Sequence, residues 1–266
     1  MSDAEELRQC YENFALSLDY RTTASDHLLR EIEIDTAAAY MRDGMRVLDV
    51  GCGLGYAPLQ YAGRRNVEAH GIDYARNMIE GARVLFARDR PVLKGSVSFA
   101  EASVMELPFP DAHFDVVTSS RCLMALLDWD LQQKALLEIR RVLKPHGVLV
   151  LMEGTFEGLE KLNAAREKFA LEPIAPDGRD RLITLKFHEA ELLEFVRQHY
   201  EVRTIQRFGM YYFLTRVVQP LLVAPDKPTY DHPLNRIARE IARHFPNFED
   251  LGHLVAFVLE KREAAR

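Results

Sequence analysis

Cysteine is scarce in this chain of 266 residues: three thiols, Cys10, Cys52 and Cys122, odd in number and without CxxC spacing. That excludes a disulfide framework and a cysteine-based zinc site, and the thiols are expected to be reduced, as in a cytoplasmic protein. No run of about 18 apolar residues is present, so no segment is expected to span a membrane. The opening "MSDAEELRQCYENF" lacks the cationic and apolar regions of a signal peptide. Basic excess is also missing. The formal net charge is −6, which argues against a nucleic-acid partner. What is present, 48% hydrophobic and 28% charged residues, fits a soluble globular fold with one large α/β domain.

The pattern along the chain is alternation. Two amphipathic helices are expected first, around 5–18 and 26–41. Strands are then predicted at 45–50, 67–73, 95–102, 114–120 and 148–154, with helices at 56–65, 75–89 and 130–143 between them. Such alternation implies βαβ units with right-handed crossovers and a mostly parallel sheet covered on both faces. After Gly154 the spacing predicts helices at 155–171 and 188–200, a loop at 172–180, and strands at 201–209 and 253–262. The stretch 210–250, rich in proline, aromatic and basic residues, reads as an insertion before the last strand. It is placed to cap a substrate.

"VLDVGCGLGY" (47–56) puts Gly51, Gly53 and Gly55 directly behind an apolar strand. Strand, glycine loop and helix together aim helix N-terminal N–H groups at a ligand. A dinucleotide fingerprint would need glycine at position 56, where Tyr56 stands, so a nucleotide-dependent oxidoreductase is the weaker alternative. Asp73 ends the second strand 22 positions after Gly51, where a carboxylate can accept both ribose hydroxyls.

With "GIDYARNMIEGAR", "ASVMELPFPDAHFDVVTSS" and "LLEIRRVLKPHGVLVLMEG" following in order, residues 45–154 resemble the class I S-adenosylmethionine-dependent methyltransferases. The resemblance implies a Rossmann-like seven-stranded sheet, parallel except for one late strand, and S-adenosyl-L-methionine as cofactor. It puts Gly51, Cys52, Gly53 and Gly55 against the methionine and ribose, with Asp49 orienting the loop and the ligand's amino group. Asp73 takes the ribose hydroxyls, Tyr74 and Met78 flank the adenine, and Ser103 and Val104 meet its edge where an aspartate is usual. Ser119 ends the strand that faces the methyl group. Residues 1–44 would form a lid contributing Tyr11, Tyr20 and Arg21. Residues 45–209 with 251–266 would be the core, and 210–250 the cap.

For methyl transfer the sequence lacks the histidine pair that many small-molecule members carry past the fourth strand. Met124 and Ala125 stand there. The remaining candidates are Glu153 and His232 as bases and Arg121 as a substrate or carboxylate holder. His113 and His188 read as a turn residue and a helix start. The cap offers Arg207, Tyr211, Tyr212, Arg216, Asn235, Arg236, Arg239 and Arg243, suited to an anionic or polar small molecule. The expected activity is O-methylation of such a molecule, with no metal and with room for a homodimer. A cofactor-binding domain without transfer activity is the other alternative.

Overall fold

The computed structural model describes residues 3–175 and 184–263. Of the loop expected at 172–180, residues 176–180 lie outside them. Five strands, β1 (Arg46–Val50), β2 (Glu68–Asp73), β3 (Ser96–Glu101), β4 (Phe114–Ser120) and β5 (Leu143–Gly154), run parallel in the order β3-β2-β1-β4-β5. Beyond β5 lies β7 (Leu254–Lys261), then β6 (Tyr200–Arg207), with β7 antiparallel to both neighbours. The order reverses between β1 and β4. In an open α/β sheet that reversal opens a crevice at the carboxyl ends of the strands.

Central strands are apolar on both faces because helices cover both. Val47, Val50, Val116, Val117, Leu149 and Val150 are at most 1% exposed. One face is packed by α5 (Trp129–Val142) and α7 (Glu189–His199), whose Leu136, Ile139, Leu192 and Val196 meet Leu48, Val117 and Phe257. On the other face α2 (His27–Ala38) buries Leu28, Leu29, Ile32 and Ala37 with Val47, Tyr61 and Val116. Its start is capped by Asp26, which accepts from Leu29 N–H. Thus α2, expected within a lid, belongs to the core, because its apolar stripe is as wide as a sheet-facing helix needs.

The first helix, α1 (Asp3–Ala15), covers α4 (Arg76–Asp89) instead, while α3 (Tyr56–Arg64) follows β1 and α6 (Phe156–Glu167) follows β5. No side chain of its own caps α4 at Ala75. Glu12 does so from α1, accepting from the N–H groups of Arg76 (3.0 Å) and Asn77 (2.7 Å). A carboxylate at that helix start also opposes the dipole's positive end.

The 210–250 stretch is helical. Gly209–Phe213 continues through a π-turn, Leu214–Val218, into Gln219–Val223, and after a turn Pro233–His244 follows. Phe208, Tyr211, Tyr212, Val217, Ala238 and Ala242 join the same core cluster as α2. The segment therefore roofs the carboxyl end of the sheet beside α2. Arg236 is exposed, Arg239 meets Glu240, and Arg243 meets Asp35 and Glu240, so their common face is a solvated one. Arg207 pairs with Glu189.

Candidate active site

The glycine loop sits at the reversal point. Gly51, Gly53 and Gly55 all have left-handed backbones (φ 71°, 53° and 82°), which favour glycine. A Cβ on Gly51 would come within 2.5 Å of Cys122 Sγ, and one on Gly55 within 2.5 Å of the Phe99 ring. At Gly53 the nearest atom would be Thr23 Oγ1 at 3.7 Å, because Gly53 faces a cavity. Asp73 fixes this loop from β2: Oδ2 accepts from Gly53 N–H and Oδ1 from Ala75 N–H, both at 2.9 Å.

That cavity, about 260 Å³, is lined by Tyr11, Asp49, Gly51, Cys52, Gly53, Asp73, Tyr74 and Arg121 among the expected residues. Asp49 is 5% exposed and accepts from Thr118 Oγ1 at 2.6 Å. Burial pushes Asp49 up to about 7 against that bond, and pushes Asp73 up to about 6 against its two N–H bonds. Burial, then nearby carboxylates, also holds the thiols of Cys52 and Cys122 un-ionised.

Several expected residues fall elsewhere. Arg21 is exposed, its backbone N–H donating to Asp19, and Tyr20 packs on Tyr56 with its hydroxyl on Asp89. Met78 is buried under α1 with Ala15 and Leu54. Ser103 accepts from Met105 N–H and Val104 packs on the opposite core cluster; neither lines the cavity. Gly55 shapes the loop without lining it. His232 caps its helix, Nδ1 accepting from Leu234 N–H at 3.1 Å, which spends the lone pair a base would use.

Glu153 is fully buried, and its carboxylate is committed. Oε1 accepts from Ser119 Oγ (2.9 Å), Cys122 N–H (3.1 Å) and Leu123 N–H (2.9 Å), and Oε2 from Met124 N–H (3.2 Å). It holds the turn after β4 from behind and lies outside the cavity, the geometry of an anchor, and burial pushes its carboxyl up to about 7 against those bonds. Gln132 assists, its amide reaching the carbonyls of Leu123, Leu126 and Leu185.

The residues that sequence reasoning missed lie on α2. Arg30 and Glu33, one helical turn apart, line the cavity opposite the glycines. Glu33 Oε2 accepts from Ser120 Oγ (2.6 Å) and Arg121 (2.9 Å), while Oε1 is buried without a partner. Arg30 donates to Tyr20 O and stacks on Tyr56, leaving its buried Nε unpartnered. Both sit in a core helix, so their signal was masked by the stripe of Leu28, Leu29 and Ile32. An unpaired acceptor of negative charge and an unpaired cationic donor, facing one cavity, match the ammonium and carboxylate of an amino-acid moiety.

A second cavity of about 300 Å³ shares the wall of Arg121, Met124 and Thr184 with the first. Its other sides come from α2, residues 166–186 as far as they are described, and the cap, including Tyr212, Arg216 and Tyr230.

A glycine loop, an acidic strand-two end, and a cavity suited to an amino acid joined to a nucleoside define a cofactor-dependent transferase of the α/β class. Residues 47–147 match the methyltransferase domain family. The ubiquinone/menaquinone biosynthesis C-methyltransferase UbiE of Vibrio parahaemolyticus is 30% identical over 209 residues, 76% of each chain. The O-methyltransferase cnsE of Penicillium expansum is 36% identical over 128 residues, 48% of this chain and 44% of that protein, so the chain spans less than half of this relative. In fold, the chain resembles the methyltransferase solved in complex with the Haloferax volcanii Trm112 activator, with a TM-score of 0.65, 18% identity, and 98% and 99% of the two chains covered. The chain belongs to the class I S-adenosylmethionine-dependent methyltransferases, and S-adenosylmethionine is its cofactor.

Proposed function

We propose that this methyltransferase methylates an oxygen atom of a polar or anionic small molecule bound in the second cavity. The observation that supports this is the shared wall. An acceptor under the cap meets the cofactor cavity across Arg121, Met124 and Thr184, which line both. S-adenosylmethionine supplies an activated methyl group on a sulfonium, and the protein's work is orientation in line with it.

The chain's own residues divide that work. Asp73 holds the ribose hydroxyls with the oxygen capacity left beside its two N–H bonds. Glu33 and Arg30 take the ammonium and carboxylate of the methionine. Arg121, with a left-handed backbone (φ 55°) and a bond to Glu33, keeps its guanidinium at the boundary of the two cavities. Among the described residues that line the second cavity, the one histidine, His253, is pushed down to about 3 and is a weak base. The nucleophilic oxygen therefore arrives ionised or readily ionised, and positioning carries the rate.

The test supplies carbon-13 methyl-labelled S-adenosylmethionine with a panel of phenols, carboxylic acids and sugar phosphates. The chemical shift of the transferred methyl distinguishes an oxygen-bound from a carbon-bound product. Transfer to carbon alone would overturn the O-methylation reading and leave the family unchanged.

A further inference from the structure

Among the described residues, four cationic side chains line the second cavity, Arg121, Arg166, Lys186 and Arg216, with Arg121 bonded to Glu33 and Arg216 to Asp26. In a chain of net charge −6 this is a local concentration of positive side chains. Two of these cations lie well below the surface: Lys186 is 7% exposed and the Arg216 side chain 14%. Asp26 is already engaged by three donors of the protein. It accepts from Leu29 N–H, from the Tyr211 hydroxyl at 2.7 Å, and from Arg216.

Two neutral groups complete the wall. The Tyr212 hydroxyl and His253 Nδ1 are both buried without a hydrogen-bond partner. Tyr212 is 0% exposed, and its ring stands edge-on to that of His253 with centroids 5.1 Å apart. Orphaned buried polar groups are uncommon in native folds and point to a group that joins them. Burial, followed by the fields of Arg216, Lys186 and Arg121, keeps His253 uncharged, so it meets a ligand as a neutral imidazole. The remaining wall mixes apolar Leu29, Leu159 and Ile174 with polar Ser25, Thr215 and Gln219.

We propose that the second cavity binds the anionic group of the methyl acceptor, a carboxylate or phosphate on a compact body. Arg121, Lys186 and Arg216 supply charge, and the Tyr212 hydroxyl, with His253 in its Nδ1–H tautomer, supplies neutral donors. The inference rests on reading this cavity as the acceptor site. Guanidinium groups suit either oxyanion, since their paired N–H donors match two oxygens. Arg121 lines both cavities, so an anion on it lies beside the cofactor.

Calorimetric titration of the S-adenosylhomocysteine-loaded enzyme with phenyl phosphate, benzoate and neutral benzyl alcohol tests this. At least one anion is expected to bind about tenfold or more tightly than benzyl alcohol, with affinity falling as salt is raised. The tighter of the two anions identifies the oxyanion. Tyr212→Phe removes a hydroxyl that has no internal partner, so melting temperature should hold or rise while anion affinity drops about tenfold. Lys186→Met should weaken the anion at least as much and leave S-adenosylhomocysteine affinity unchanged. If S-adenosylhomocysteine binds but neither anion outcompetes benzyl alcohol, or if Tyr212→Phe leaves anion affinity intact, the proposal falls while the transferase reading stands. Failure to bind S-adenosylhomocysteine at all would instead remove the reading beneath it.

Discussion

Replacing Glu153 by glutamine separates the two roles open to a carboxylate at the end of β5. Glutamine keeps the carbonyl oxygen that accepts from Ser119 Oγ and from the N–H groups of Cys122 and Leu123. At the second position an amide NH2 would face Met124 N–H across 3.2 Å, donor against donor. Leaving that N–H unsatisfied costs about 1–3 kcal/mol, and the surviving bonds weaken as they lose charge assistance. Relief from burying a charge works the other way, so the net loss stays at about 1–3 kcal/mol. For a chain of this size that is roughly 3–10 °C in melting temperature, readable by calorimetry. A general base would behave differently. Its removal costs about 10²–10⁴ in kcat with stability and cofactor affinity nearly untouched. The anchor reading therefore predicts a lower melting temperature with kcat, measured on the acceptor found by methyl labelling, within about tenfold of wild type. A wild-type melting curve with kcat down by hundreds would refute it.

Asp73→Ala should weaken S-adenosylmethionine binding at least tenfold by calorimetry, since it removes the ribose acceptor and frees the Gly53 N–H; unchanged affinity would take Asp73 out of the site. Arg30→Met and Glu33→Gln should each weaken S-adenosylmethionine more than they weaken 5′-methylthioadenosine, which lacks the amino-acid end, and equal losses for both ligands would refute the assignment. The ligand-free protein should lose stability as pH rises from 5 to 7.5 in denaturant titrations. Asp49, Asp73 and Glu153 have folded values raised to about 7, 6 and 7, so their contribution is fully present below the unfolded values near 4 and is lost as pH rises through the folded ones. This outweighs the opposite trend from His253, held at about 3, which ends near its unfolded value of about 6.5. S-adenosylmethionine, a cation, should then release protons on binding near pH 6.5, seen as heats that depend on buffer ionisation; no buffer dependence would contradict the raised values.

The sheet was legible because its signals are local and repeated. Apolar strands, glycine punctuation and amphipathic helices agree from residue 45 to residue 154, and the cofactor loop follows from three glycines and one aspartate. The other half of the site was less legible for identifiable reasons. Arg30 and Glu33 lie on a helix whose apolar stripe reads as packing alone, and only the fold shows that their side of it faces a cavity. His232 drew attention by its chemistry, yet a histidine before a proline-led helix is placed to cap it. The basic run Arg236, Arg239 and Arg243 proved a solvated face, while single cations far apart in sequence, Arg121, Lys186 and Arg216, converge. Convergence of that kind leaves no mark in spacing.

The turn after β4 links these observations. It is held from behind by Glu153 and Gln132, from the side by Glu33 through Ser120 and Arg121, and it presents Met124 and Ala125 where a histidine pair is common in small-molecule members. With Met124 and Ala125 on the cofactor side and Arg121 at the boundary of the two cavities, the turn has no group that abstracts a proton and one that orients charge. Such a wall favours an acceptor whose oxygen needs little deprotonation and whose position an oxyanion fixes. The rigidity bought by four bonds to one buried carboxylate has a direct use here, because a small displacement of the turn would move Arg121 relative to both ligands at once.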